Sequence, residues 1–168
     1  MHTSATPVRE LRDSILSFIA AMNAQDAERV LAHLTDAAVW RQPDGVVAEG
    51  KEAIRDVLEE LWLSTDDMQI PVDDVELLVS PDGGTVATLW RATMTMTGYH
   101  MGFAPTGRRA VFRGVCICRM AGSRIAEHTL VYDQLDVSQQ LGLLPAPTSR
   151  SFRFMAAGQR MARRLRRG

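Results

Sequence analysis

One segment near the end of the chain combines carboxyl groups with apolar neighbours, as an acid–base site would. In a regular strand, alternate residues face the same side. One such face would carry Ile125, Glu127, Thr129, Val131 and Asp133. Burial in an apolar pocket raises the pKa of a carboxyl group, which can then both accept and donate a proton. The alternative is that Asp133 caps a short helix predicted over residues 134–141, and the residues alone leave both roles open.

Two histidines and a tyrosine are further polar candidates. His100 lies beside Tyr99 in a predicted loop, where both could bind a substrate oxygen, although loop histidines are commonly just exposed. His128 has the opposite strand parity to Asp133 and is expected on the other side of the sheet. A structural or interface role is therefore predicted for His128.

Two arginines fall in the middle of predicted strands, where a charge needs a partner. Arg91 and Arg113 either pair with acids such as Glu127 or bind a substrate carboxylate or enolate. Epoxide opening would require Asp133, Glu127 and Arg113 to converge around one water molecule. Nothing in the sequence alone brings these three residues together.

Large apolar side chains could line a pocket for a broad ligand. Trp90, Met94 and Met96 share a parity on one long predicted strand, and methionine adapts to irregular ligands. Trp40 and Phe103 are further candidates for the pocket lining. A hydrophobic polycyclic compound is the ligand class that such a lining favours.

The motifs of several common chemistries are missing from the sequence. It contains no glycine-rich phosphate loop, no zinc-type motif and no serine nucleophile elbow. Cys116 and Cys118 are too close in sequence for an ordinary disulfide and are expected to be reduced core residues. We therefore expect neither a metal nor a cofactor.

The apolar periodicity and the turn signals predict the elements that must position these residues. In chain order they are helices 8–24 and 27–34, strand 38–41, helix 51–63, and strands 72–80, 85–99, 109–120 and 124–132. Short turns join the last three strands, which favours an antiparallel meander. Helices on one side of such a sheet make an α+β fold, and a curved sheet would form a cone with an open mouth.

Charged residues are unevenly distributed along the chain of 168 residues. Residues 150–168 hold seven arginines and no acid, whereas the rest carries 12 basic and 20 acidic side chains. We predict one domain over 1–147 and an arginine-rich tail over 148–168, which is solubilising or bridges subunits. Nucleic-acid binding is not expected because the tail lacks an aromatic stacking platform. No membrane-spanning run and no signal peptide are visible, so a cytoplasmic location is expected.

A set of short motifs extends over most of the chain, from about Val8 to Pro145. The motifs are Glu49–Ile54, Pro105–Arg109, Phe112–Gly114, Arg124–His128, Val131–Asp133 and Gln140–Pro145. Together they resemble the SnoaL-like ester and polyketide cyclases of the nuclear transport factor 2-like superfamily. Many relatives have tryptophan where this chain has Thr129, a difference that concerns the substrate more than the fold.

The resemblance implies a cone-shaped α+β barrel, a homodimer or higher homo-oligomer, a pocket inside the cone and no cofactor. Well-known members of that family close a ring in an aromatic polyketide by intramolecular aldol condensation. Their catalytic aspartate corresponds to Asp133 in this chain. The same scaffold also hosts hydroxylases, epoxide-opening hydrolases and non-catalytic small-molecule binders, so these functions stay open as alternatives.

Overall fold

A computed structural model describes residues 7–100, 102–146 and 148–165. The helices are α1 Val8–Asn23, α2 Ala27–Ala32, α3 Gly50–Ser64, α4 Gln134–Gln140 and α5 Arg150–Leu165. The strands are β1 Leu34–Arg41, β2 Val47–Glu49, β3 Glu76–Val79, β4 Thr85–Thr95, β5 Arg109–Ala121 and β6 Arg124–Tyr132. No helix in these ranges is long and apolar enough to span a membrane.

The six strands form one open, curved sheet in the order β2-β1-β6-β5-β4-β3. All neighbouring pairs are antiparallel except β1 and β6, which are parallel. The predicted α+β fold, with N-terminal helices against a curved sheet, is confirmed. The meander of the last three long strands, β4, β5 and β6, is confirmed as well.

The helices pack on the sheet through the apolar stripes visible in the sequence. In α1, residues spaced by three or four positions are buried, namely Leu11, Ile15, Phe18, Ile19 and Met22. In α3, the buried apolar residues are Ile54 and Leu58. The side chain of Asp26 accepts a hydrogen bond of 3.0 Å from the backbone N–H of Arg29, so the predicted cap of α2 is confirmed.

Some element boundaries differ from the prediction for identifiable reasons. A single 3₁₀ turn occupies Val72–Asp74 after Pro71, so β3 begins only at Glu76. β4 ends at Thr95, where the Asp67 carboxylate accepts hydrogen bonds of 2.6 Å from both the backbone N–H and the hydroxyl group. β1 begins at Leu34, earlier than predicted, and the short strand β2 was not predicted.

The register of the sheet aligns inward-facing side chains in rows across the strands. One row joins Trp40, His128, Cys118 and Val86. A second row, further along β6, joins Tyr132, Gly114 and Trp90. A Cβ atom at Gly114 would overlap the Trp90 indole, so this glycine makes room for the indole over the inner face. The register thereby fixes which side chains share the space beneath the helices.

The arginine-rich segment contains helix α5, in which Phe154 is 78% exposed. Arginines at 150, 153 and 160 lie in the same helix, and no acid is present between 150 and 168. The division of the chain at residue 147, which itself lies outside the described residues, stays a prediction.

Candidate functional site

A cavity of about 160 Å³ lies between the helices and the inner face of the sheet. From α1 it is lined by Ile15, Phe18, Ile19 and Met22, and from α3 by Val57, Leu58 and Leu61. From β4 it is lined by Thr88, Trp90, Ala92 and Met94. The remaining sheet residues include Trp40, Phe112, Cys116, His128, Leu130 and Tyr132. Apolar walls with a few polar groups are typical of small-molecule sites.

The cavity has its mouth where three strands of the same direction end. β1 and β6 are parallel, and β4 runs the same way because β5 is antiparallel to both of its neighbours. The lining residues that follow these strands are polar or partly exposed: Gln42, Asp44, His100 and Gln134. Glu60 of α3 adds a second exposed carboxyl group to the lining. Ionisable groups that contact solvent are therefore concentrated at the mouth.

Tyr132 is the polar residue of the sheet nearest to this mouth. Its side chain is half-buried, and its ring packs against Phe112 with centroids 5.2 Å apart. Burial, with a smaller contribution from the Asp44 carboxylate, raises the pKa of the Tyr132 phenol above its usual value. Tyr132 is therefore a neutral hydroxyl group able to donate a hydrogen bond at neutral pH.

An aromatic cluster of Phe18, Trp40 and His128 also lines the cavity, and His128 lies four residues before Tyr132 along β6. The rings of Trp40 and His128 stack with centroids 3.8 Å apart and an interplanar angle of 19°. Phe18 contacts both rings at centroid distances of 6.1 and 5.7 Å. Burial lowers the pKa of His128 to about 3, so the imidazole is neutral at neutral pH.

Two polar nitrogens of this cluster are buried without a hydrogen-bond partner among the described residues, Trp40 Nε1 and His128 Nδ1. Trp90 differs, because its Nε1–H donates a hydrogen bond of 3.2 Å to Cys116 Sγ. Trp62 Nε1 is also unpartnered, but Trp62 does not line the cavity. The buried, unpartnered side-chain nitrogens of the cavity lining therefore belong to this aromatic cluster.

The cysteines of the cavity are unsuited to nucleophilic chemistry. Both are free thiols, as predicted. Burial raises the pKa of the Cys116 thiol to about 11 and raises that of Cys118 further. Because the thiolate is the reactive form, both residues act here as small apolar groups. Within the described ranges, no three His, Cys, Asp or Glu side chains gather where they could hold a metal ion.

The structure brings four of the predicted ligand-contacting residues to the cavity: Trp40, Trp90, Met94 and His100. Met96 is fully buried outside the lining, where the Thr106 hydroxyl contacts its Sδ at 3.8 Å. Tyr99 is 69% exposed, and Phe103 is exposed as well. Met96 keeps the buried parity of β4, and its backbone is hydrogen-bonded to Arg108 and Gly107, whereas Tyr99 and Phe103 lie further beyond the end of the strand.

The predicted face of β6 is wrong. Residues on the cavity side are His128, Leu130 and Tyr132, whereas Glu127, Thr129 and Asp133 lie outside the lining. The reason is a bulge: Arg119 pairs with Glu127 and Met120 pairs with Ile125, which leaves Ala126 without a partner. One extra residue reverses the alternation, so Ile125 faces inward and Glu127 faces outward. Glu127 Oε1 lies 4.0 Å from Arg119 Nε on that outer face.

Asp133 occupies the cap position of α4. Its Oδ1 accepts a hydrogen bond of 2.9 Å from the backbone N–H of Asp136, which is the alternative role considered above. Asp133 and Arg113 line a shallow outer cleft together with Arg91 and Asp136, apart from the cavity. The catalytic role of Asp133 stays a prediction.

Comparison with known proteins identifies the family. The family model of the SnoaL-like domain matches residues 15–128, about two thirds of the chain. The chain belongs to the SnoaL-like domain family. A comparison with curated protein sequences finds no significant match for this SnoaL-like chain.

Many solved structures share the SnoaL-like fold. A protein of Pseudomonas putida KT2440 provisionally named a polyketide cyclase is 19% identical, with a TM-score of 0.72 over 78% of this chain and 97% of that one. AclR of Streptomyces galilaeus, provisionally named a hydroxylase, is 23% identical, with a TM-score of 0.70 over 96% and 97% of the two chains. IdmH of Streptomyces antibioticus, provisionally named a polyketide cyclase, is 25% identical, with a TM-score of 0.64 over 79% and 98%.

Sequence reasoning missed His128 and Tyr132 as residues of the SnoaL-like cavity. Both follow the bulge at Ala126, which hydrophobic alternation does not reveal. A usable signal existed in the short spacing of apolar and aromatic residues at 128, 130 and 132. These positions continue the inward alternation of a strand that starts after the bulge.

The buried neutral state of His128 predicts a specific loss of stability in acid. The unfolded chain binds a proton on this residue near its ordinary pKa of 6.5, whereas the folded protein does so only near 3. The free energy of unfolding should therefore fall as the pH drops from 6.5 towards 3, by up to about 1.4 kcal/mol per pH unit. Urea unfolding at several pH values in this window measures the slope.

The matched variants for this measurement are His128→Phe and His33→Gln. Burial, and then Arg29, also lowers the pKa of His33, but this residue is only half-buried. We expect His128→Phe to remove most of the slope and His33→Gln to remove little of it. An unchanged slope in His128→Phe would contradict the assignment of His128 as a buried neutral residue.

Proposed function

We propose that this protein is a cofactor-free enzyme that closes a ring in a polyketide-type substrate by intramolecular aldol condensation inside the cavity. The observation that carries the proposal is a mainly apolar cavity with a few polar groups, among them those at its mouth and in the aromatic cluster. The family and the provisional cyclase names of two neighbours, one of them 25% identical, support the same class of reaction.

The reaction requires the protein to fold the substrate, to exclude water and to transfer protons. A donor carbon between two carbonyl groups loses a proton to a base, and its carbanion attacks a second carbonyl carbon to form the new C–C bond. The oxygen of that carbonyl becomes an alkoxide and takes up a proton, so the product is an isomer of equal mass. Positioned acid–base groups typically contribute a factor of about 10²–10⁴.

The mouth offers the groups that these proton transfers need. Tyr132 is a neutral phenol on the cavity wall and is proposed as the proton donor to the developing alkoxide. The carboxyl groups of Asp44 and Glu60 also line the cavity and are proposed as candidates for the base. Asp133, the residue indicated by the family resemblance, is the rival candidate for the base.

A reaction that adds oxygen is the second candidate. The match to AclR spans 96% of this chain, more than the matches to the cyclase-named neighbours described above. Epoxide opening by Asp133, Glu127 and Arg113 finds no support in the cavity, because none of the three lines it. If no compound is converted, the remaining interpretation is a non-catalytic protein that binds a small molecule.

Turnover by single variants separates these candidates. Purified protein without added metal or nucleotide is given anthraquinone-type and reduced polyketide acids, and the products are analysed by mass spectrometry. We expect a ring-closed isomer from the wild type and a loss of rate of about 10²-fold or more in Tyr132→Phe. A product heavier by one oxygen atom would support the hydroxylase, and bound but unconverted ligand would contradict both enzymes.

The base is assigned in the same assay by Asp44→Asn, Glu60→Gln and Asp133→Asn. Asparagine caps a helix about as well as aspartate, so Asp133→Asn keeps the stability of α4 and tests chemistry alone. Loss of turnover in Asp44→Asn or Glu60→Gln, with Asp133→Asn unchanged, would support the mouth as the site of proton transfer. Loss of turnover in Asp133→Asn alone would support Asp133, the residue indicated by the family resemblance, as the base.

We also propose that the outer face of the sheet is the interface of a homodimer, which the family resemblance implies. This face carries exposed apolar residues on neighbouring strands: Leu89, Val111, Ile117 and Val131. A second copy of the same chain would cover this patch in an isologous contact.

Sedimentation measures the proposed dimer. We expect the wild type to be a dimer, Ile117→Lys/Val131→Lys to be a folded monomer, and Leu63→Lys to remain a dimer. Leu63 is a suitable control because it is a highly exposed leucine of α3, away from the sheet face. A monomeric wild type, or a double variant that stays dimeric with native circular dichroism, would contradict this interface.

A further inference from the structure

The aromatic cluster of the cavity holds two polar nitrogens that nothing in the described protein satisfies, Trp40 Nε1 and His128 Nδ1. A buried donor or acceptor without a partner destabilises the folded protein, because it has lost its hydrogen bonds to water. Only 3% of the surface of Trp40 and of His128 is exposed, so bulk water does not solvate these groups. Two such groups at one place point to a partner that enters through the cavity.

The two nitrogens belong to rings that face the same space. Trp40 pairs with His128 in the parallel register of β1 and β6, and the two rings are stacked. Both residues line the cavity, while Phe18 covers them from the side of α1. The two side chains therefore contribute to the same part of the cavity wall.

We propose that Trp40 and His128 form a binding and positioning pair for one neutral oxygen atom, the ketone or enol oxygen of an otherwise apolar ring compound. The proposal rests on the proposed function only in taking the same cavity as the substrate site. It names the chemical group of the substrate that the aromatic cluster binds.

A neutral oxygen fits the aromatic cluster better than a carboxylate or a phosphate. The neighbouring lining residues of the row and the cluster are Phe18 and Cys118, and neither is charged. The imidazole is neutral at neutral pH for the reason given above. An anion would lose its hydration without gaining a cation, which is far more costly than burying a ketone.

The hydrogen-bonding capacity of the pair matches both forms of such an oxygen. The indole N–H of Trp40 is only a donor, whereas Nδ1 of a neutral imidazole donates or accepts according to its tautomer. A ketone oxygen accepts from both nitrogens when Nδ1 carries the proton. An enol oxygen accepts from Trp40 and donates to Nδ1 in the other tautomer. The pair can therefore hold the oxygen before and after enolisation.

Two probes that differ by one oxygen test the pair directly. α-Tetralone and tetralin share a bicyclic skeleton, and only α-tetralone carries a ketone. Calorimetric titration gives the ratio of the two Kd values, tetralin over α-tetralone, for each protein. We expect this ratio to fall about tenfold in Trp40→Phe and in His128→Phe, as the loss of one hydrogen bond of about 1.4 kcal/mol requires.

Trp62→Phe is the matched control, because it also removes an unpartnered indole N–H, but outside the cavity lining. The ratio of the two Kd values measured for Trp62→Phe should equal the ratio measured for the wild type. If His128→Phe does not fold, His128→Leu replaces it. An unchanged ratio in the Trp40 and His128 variants, or an equal fall in Trp62→Phe, would overturn the proposal. So would the absence of binding of both probes to the wild type.

The outcome is independent of turnover. An oxygen preference that depends on Trp40 and His128, without conversion of any polyketide acid, supports the binding pair and not the cyclase. Conversion without such a preference supports the cyclase and overturns the binding pair. The two proposals can therefore fail separately.

Discussion

The parallel pairing of β1 with β6 decides which side chains reach the interior of this protein. It places Trp40 directly beside His128 and continues through Cys118 into the rest of the inner face. The same pairing points the carboxyl ends of β1 and β6 in one direction, and the antiparallel pairs of β5 give β4 that direction too. The position of the aromatic cluster thus follows from a non-local contact between strands, and the mouth follows from that contact together with the β5 pairings.

Because the cavity lining is mainly apolar, its few polar groups determine which ligand groups it can bind. Burial keeps the thiols protonated and the imidazole uncharged, so the inner half of the cavity offers hydrogen bonds but no charge. Ionisable carboxyl groups lie only where solvent reaches, at Asp44 and Glu60. A substrate anchored by an oxygen at the aromatic cluster would therefore leave another part of its skeleton for the proton-transferring groups of the mouth.

The local parts of the fold were predictable from sequence, and the non-local parts were not. Helical spacing located α1 and α3, a cap residue located α2, and tight turns joined β4, β5 and β6 into the predicted meander. The bulge at Ala126 depends on how β6 pairs with β5, and no residue of β6 alone reveals it. That single irregularity moved Glu127, Thr129 and Asp133 off the cavity and brought His128 onto it.

The end of β4 is a second example of the same limit. Alternation continues in the sequence to Met96 and beyond, but the Asp67 carboxylate binds Thr95 and the strand ends there. Met96 keeps the buried parity of β4 but lies outside the cavity lining, and Tyr99 is exposed, whereas Trp90 and Met94 line the cavity. Sequence patterns located candidates for the lining, and contacts between distant segments selected among them.

The most direct test of the central claim, that ligands bind between the helices and the inner face of the sheet, uses the nine methionines as probes. Methyl spectra of [¹³C-methyl]methionine-labelled protein are recorded during titration with α-tetralone. The account predicts shifts at the cavity residues Met22, Met68 and Met94, and none at the exposed Met161 of α5. Unchanged signals from those three residues, or a shift at Met161 alone, would contradict it.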